Sequence, residues 1–349
     1  MSLDTKPTAV KLTLGQLDQV VSSLADKYRI YAPMRFVGRG RFSDSDSIRY
    51  AEMRNVSQIE SREKSHFSPK EVVFPITHTL FYLAESGYQE PTANDRGIII
   101  FLRACDIHAM TRLDAMFLEN GTERDPYYEH LRSKVKFILM ECEQSFQNCF
   151  CVSTGTNAAD DYAMAVRFTE DGVLAEIRDK VIADALPKSC EQVDFHPVFV
   201  ASNETRVSLP EPDELTKAIR ERQLFDHSMW EDYAKRCIAC GRCNTHCPTC
   251  SCFTTYDVQY EDNPRNGERR RVWASCHVDR FTDMAGGHRF RDDYGSRMRF
   301  KVMHKVYDYH QRFGRHMCVG CGRCDDACPE FISFANCINK VSAVMEEEA

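Results

Sequence analysis

The stretch "CIACGRCNTHCP", residues 237–248, returns as "CVGCGRCDDACP", residues 318–329, and this pair decides how the chain is read. Both copies have the spacing C-x2-C-x2-C-x3-C-P. Three cysteines at that interval on a tight turn can converge on one centre, while the fourth begins the next helix and faces away. Pro248 and Pro329 suit a helix start, where a missing N–H costs little. Gly241 and Gly322 let the backbone come close to an inorganic sulfide, and free N–H groups nearby offset negative charge.

This is the run of two-cluster bacterial ferredoxins, in which the fourth cysteine of each copy serves the other cluster. Two [4Fe–4S] clusters are therefore expected. One falls on Cys237, Cys240, Cys243 and Cys328, the other on Cys318, Cys321, Cys324 and Cys247. Structural zinc, the competing use, favours short cysteine pairs over triplets with a distant fourth ligand. A zinc-stabilised interaction protein is the alternative from another functional class. Cys250, Cys252, Cys276 and Cys337 are then left for packing, and His246 and His277 read as core or surface histidines.

The chain has 349 residues and a formal net charge of -7. That length allows two domains with real cores, and the mild acidity weighs against a dedicated nucleic-acid binder. Its seventeen cysteines are an odd number, a poor fit to complete disulfide pairing. The N-terminus lacks a signal-peptide core, and "GIIIFL" and "KFILM" are strand-sized rather than membrane-spanning. A cytoplasmic chain with reduced thiols is expected.

Residues 12–32 carry apolar groups at helical spacing, and "EVVFPITHTLFYLAE" reads as a strand followed by a helix. In "RGIIIFLRACDIHAMTRLDAMFLEN" a buried-type strand leads into a helix that Asp106 could cap, and "KVKFILMEC" repeats the strand. Alternation of this kind predicts an α/β domain over residues 1–205. Polar, proline-bearing residues 206–225 form the linker, and residues 226–349 the dicluster ferredoxin domain, mostly α-helical. Val302, Val306 and Tyr309 mark one helix face of the insert between the motifs. Arg269, Arg270, Arg271, Arg280, Arg289, Arg291, Arg297 and Arg299 read first as charge compensation, second as a docking face for an acidic partner.

A second group of cysteines lies in the first domain: Cys105, Cys142, Cys149 and Cys151. Two of them follow predicted strands at their C-terminal ends, the edge where open α/β sheets bind ligands. They form a candidate third [4Fe–4S] site, to which Asp106 could add a carboxylate; buried packing is the competing reading. Cys190 lies apart from them.

The blocks "RACDIHAM", "MECEQSFQNCFCVSTGT" and the two ferredoxin runs together resemble the iron–sulfur electron-transfer subunits of anaerobic sulfite reductases. The beta subunits of hydrogenases and sulfhydrogenases share the plan. The first resemblance implies a relay subunit between a flavin subunit oxidising NADH and a sirohaem subunit reducing sulfite to sulfide. The second keeps the wiring and changes the terminal reaction. Neither a G-x-G-x-x-G after a strand, a P-loop nor a nucleophile elbow is present, so no catalytic residue is assigned.

Overall fold

A computed structural model describes residues 8–347 apart from 93 and 223. Its larger sheet is built from β1 (Thr8–Leu12), β2 (Tyr28–Phe36), β3 (Ser47–Glu52), β6 (Gly97–Leu102), β7 (Val135–Met140), β8 (Met164–Thr169), β9 (Gly172–Ile177) and β10 (Glu191–Gln192). Their order is β10-β1-β9-β8-β7-β6-β2-β3. The central neighbours β2, β6, β7 and β8 run parallel, and the flanking pairs antiparallel.

Strand β6 shows why this region is layered. Ile99 and Phe101 enter one apolar core with Val10, Leu12 and Met140, while Ile98, Ile100 and Leu102 enter the other with Met110 and Leu113. A central strand covered on both faces is apolar at every position, which is what "GIIIFL" encodes. The helix Ala104–Leu118 crosses over from β6 to β7, so Cys105 and Cys142 both stand just past the C-terminal ends of adjacent parallel strands. The capping box closed by Thr13 and Gln16 starts the helix Leu14–Leu24, which buries Leu17, Val20, Val21 and Leu24 as the periodicity predicts.

The second half departs from the sequence reading in one respect. The stretch between the two cysteine runs, expected to be helical, opens with the hairpin β11 (Phe253–Gln259) and β12 (Gly267–Trp273). That hairpin joins β4 (Thr77–Ala84) and β5 (Gly87–Gln89) in a four-stranded sheet. Residues 77–84 are thus a strand where the sequence pattern predicts a helix, and the two halves share a sheet. Cross-strand partners from remote sequence decide both assignments, and no local pattern carries that information. The helices Met229–Arg236, Tyr294–Met303 and Phe334–Glu347 pack a third core around Trp230, Val302, Val306 and Ile338. Among the described residues no helix is long and apolar enough to cross a membrane.

Candidate metal centre

All seventeen cysteines are free thiols, and twelve of them surround three cavities. Cys237, Cys240, Cys243 and Cys328 line the first. Cys247, Cys318, Cys321 and Cys324 line the second. The structure thus brings the fourth cysteine of each run to the triplet of the other. Cys105, Cys142, Cys149 and Cys151 line the third. The cavities form a row: Cys324 borders the first and second, and Cys321 borders the second and third.

Local backbone explains the triplets. Ala239 and Gly320, at equivalent positions of the two runs, have left-handed φ values of 56° and 60°. Each turns its own N–H toward the first sulfur of its run, Ala239 N to Cys237 Sγ at 3.4 Å and Gly320 N to Cys318 Sγ at 3.5 Å. Gly241 and Gly322 are also left-handed and precede the short helices that carry Cys243 and Cys324. The loop that carries Cys149 and Cys151 packs against the second run. Phe150 N donates to Gly320 O at 2.7 Å, and a β-carbon on Gly320 would fall 2.5 Å from the Phe150 backbone.

The thiols and their surroundings fit an anionic cluster. Burial pushes Cys151 and Cys318 up to about 11 and Cys321 up to about 12, so at neutral pH these sulfurs keep their protons unless a metal replaces them. Buried lysines lie in this region, Lys301 bordering the first and second cavities and Lys305 the second. Lys70, Lys301 and Lys305 are each at most 3% exposed, and among the described residues none has a carboxylate partner. Lys70 Nζ donates to the carbonyls of Asn244 and Cys250 and lies 4.1 Å from the Trp273 ring centroid. Lys305 Nζ donates to Thr249 Oγ1 at 2.7 Å. Burial would pull Lys301 and Lys305 down, yet the neighbouring cysteine sulfurs raise both. Buried unpaired ammonium groups cost several kcal/mol each. A cubane held by four thiolates would carry net negative charge and would give Lys301 and Lys305 the counter-ion they lack.

Lys301 borders both the first and second cavities. Reduction adds negative charge there, so a fixed cation favours it. Lys301→Met is expected to lower the potentials of both centres by an amount on the order of 2 kcal/mol, several tens of millivolts, for a charge several ångströms away at an effective dielectric of about 20. Redox titration followed by electron paramagnetic resonance checks it, and unchanged potentials would remove Lys301 from this role.

The third cavity has its own cations. Lys64 Nζ stands 3.7 Å from Cys149 Sγ and pairs with Asp326 at 2.6 Å. Arg103 and Arg323 also line it. Asp106, expected as a cap and a candidate iron ligand, is neither. It is fully buried and holds Arg323 through two contacts of 2.6 and 2.9 Å, so its oxygens are spent. The N-cap of that helix is Arg103.

The remaining cysteines and histidines have local settings. Cys250 and Cys276 are buried and Cys337 is fully so, while Cys252 is partly exposed and within hydrogen-bond reach of Cys276. His246 stacks on Phe67 with centroids 4.3 Å apart. His277 Nδ1 stands 4.0 Å from Cys237 Sγ. The arginines between the runs are mostly engaged locally: Arg269 with Asp257, Arg270 with Glu268, Arg271 with Asp125, Arg289 with Asp283 and Arg297 with Asp279. Arg291 and Arg299 lie over Phe300 and Phe225. Ion pairing within the fold accounts for the first five, and stacking on aromatic rings for the other two. The buried lysines escape a reading of the sequence alone. Lys301 and Lys305 are one turn apart beside Val302 and Val306, and a basic pair on an otherwise buried helix face is the available signal.

Comparison with known proteins agrees with this chemistry. Residues 236–332 match the family described as a 4Fe-4S dicluster domain. Across 344 residues the chain is 27% identical to the sulfhydrogenase 2 subunit beta of Pyrococcus furiosus, an alignment covering 95% of this chain and 98% of that one. No solved structure matches.

Proposed function

We propose that this chain is the electron-relay subunit of a larger oxidoreductase, working with partners of the hydrogenase and sulfhydrogenase kind. The observation that carries the relay is the row of three four-cysteine cavities sharing borders at Cys324 and Cys321. A [4Fe–4S] cluster supplies one-electron storage where it is bound. Cys237, Cys240, Cys243 and Cys328 would hold the first cluster, Cys318, Cys321, Cys324 and Cys247 the second, and Cys105, Cys142, Cys149 and Cys151 the third. The chain's own contribution is to exclude water, fix the thiolates and place Lys64, Lys301 and Lys305 as permanent counter-charges.

The function divides as residues 1–205, which carry the third site, a linker at 206–225, and residues 226–349, which carry the other two. Twelve cysteines held as cluster ligands suit a reducing compartment such as the cytoplasm. A flavin subunit handling NADH is the electron-exchanging partner in either form of the complex. Bond-making on the terminal substrate belongs to another subunit, and neither sulfite nor hydrogen contacts this chain.

Full-length similarity to a sulfhydrogenase beta subunit supports the hydrogenase-type terminal partner over the sirohaem-bearing sulfite reductase subunit that the short sequence blocks suggest. Purification of the native complex through a tag on this chain separates the two. Nickel in the complex, with bleaching near 400 nm under hydrogen, is the expected result. A sirohaem spectrum without nickel would assign the chain to sulfite reduction. A colourless zinc protein would overturn both.

A further inference from the structure

The two ferredoxin runs are equivalent, but only one is covered. In the second run Val319 is 2% exposed and Gly320 and Gly322 lie against the backbone of residues 148–151, the loop that carries Cys149 and Cys151. That face is where one redox site meets the next. The corresponding face of the first run is open. Ile238, the counterpart of Val319, is 56% exposed, and Ala239 stands where the second run has Gly320. Val278 and the buried Ser275 lie against Gly241 on this side, and Val278 is itself exposed. Cys240 is the one cysteine of the chain in the exposed class.

Two further features mark the open face. Phe331, three residues past Cys328, is 85% exposed and held in a left-handed conformation at φ 50°. An apolar ring kept in solvent on a strained backbone beside a cavity mouth has no role in the core. Exposed Arg236 reaches the Phe331 carbonyl, exposed Arg242 follows Gly241 and exposed Arg280 lies two residues past Val278; none of the three is in an ion pair among the described residues, although the chain as a whole carries a net charge of -7. Arg236 donates to the Glu330 and Phe331 carbonyls, so its charge is fixed at the rim; Asp325 and Glu330 are the acidic side chains that line the cavity, and Asp325 is held inward by Ser333 and the Phe334 N–H.

We propose that Ile238, Val278 and Phe331, with the unpaired Arg236, Arg242 and Arg280 close to them along the chain, form the docking face for an acidic redox protein that exchanges electrons at the first centre. The internal equivalence states the kind of occupant: where the second run receives a cluster-bearing loop of this chain, the first run receives a cofactor-bearing protein. The unpaired arginines state its charge. This proposal rests on the relay reading.

The test uses the full-length chain, purified without oxygen, and a small acidic [2Fe–2S] ferredoxin as probe, with basic cytochrome c as the charge control. Calorimetry and stopped-flow electron transfer give affinity and rate across a salt series. Ferredoxin binding that weakens with salt, and falls about tenfold or more in Ile238→Ser/Phe331→Ser and in Arg242→Glu/Arg280→Glu, is expected. Iron content and reduction by a small viologen should stay unchanged in both variants. Equal ferredoxin binding by the variants, equal binding of cytochrome c, or a dimer of this chain that the same substitutions dissociate would overturn the proposal. Ferredoxin binding through these residues by a chain without iron would instead sink the relay reading and leave the surface standing.

Discussion

Arg323→Met is expected to destabilise the protein by about 3–5 kcal/mol, the largest stability loss foreseen for a single substitution. Arg323 is 2% exposed and Asp106 is fully buried. The guanidinium spans both halves of the molecule, meeting Asp106 through Nη1 and Nη2 and Ser65 through its carbonyl at 2.9 Å and its hydroxyl at 2.9 Å. Methionine keeps much of the volume but strands a carboxylate in the interior, so the loss comes from Asp106 left alone rather than from the missing attraction. The pairing of Arg323→Met with Asp106→Leu separates these terms. The double variant should recover most of the thermal midpoint that the single one loses, because two apolar groups leave no charge unpaired. A single variant as stable as the parent, or a double variant worse than the sum, would contradict the assignment. Arg323 lies between Cys321 and Cys324, so the single variant should also shed iron from the second and third sites before the first.

Cys149→Ser/Cys151→Ser is expected to remove about four irons and four sulfides per chain while leaving about eight of each. Both cysteines line only the third cavity, and both are buried, Cys149 at 7% and Cys151 at 6%. Serine fits the space but offers iron a hard, protonated oxygen in place of a thiolate. The matching control is Cys337→Ser. Cys337 is fully buried, borders none of the three cavities and has Tyr233 as its side-chain partner, so its replacement should leave the iron count unchanged. Iron unaffected by the double substitution would return the four N-terminal cysteines to packing.

The two ferredoxin runs are legible in the sequence because their chemistry is local. Turn, glycine, helix start and ligand interval all lie within twelve residues, and the crossing of the fourth ligand follows from the spacing. The third group is legible in outline because Cys105 and Cys142 each follow an apolar strand, and parallel neighbours bring their ends together. Asp106 is the counter-example. A carboxylate in the first turn of a helix looks like a cap or a ligand, and its partner is Arg323, more than two hundred residues later. The hairpin β11–β12 is hidden for the same reason. Its outer strand is largely exposed and polar, with residues such as Thr254, Thr255 and Asp257, and β12 gains its place from pairing with β4. The arginines of β12 read first as charge compensation and second as a docking face, and the carboxylates that hold Arg269 and Arg271, Asp257 and Asp125, are hidden because they come from another strand and a distant loop. Cations that neutralise cavities are invisible locally as well. Lys70 is a surface residue by composition and reaches the metal region only because Pro69–Val72 packs under Trp273.

The most direct test of the three-centre account is the iron, acid-labile sulfide and zinc content of the chain purified without oxygen. The account predicts about twelve irons and twelve sulfides per chain and no stoichiometric zinc. About eight of each would confine the relay to the paired runs and break the row at the second site, and zinc in place of iron would contradict the account altogether.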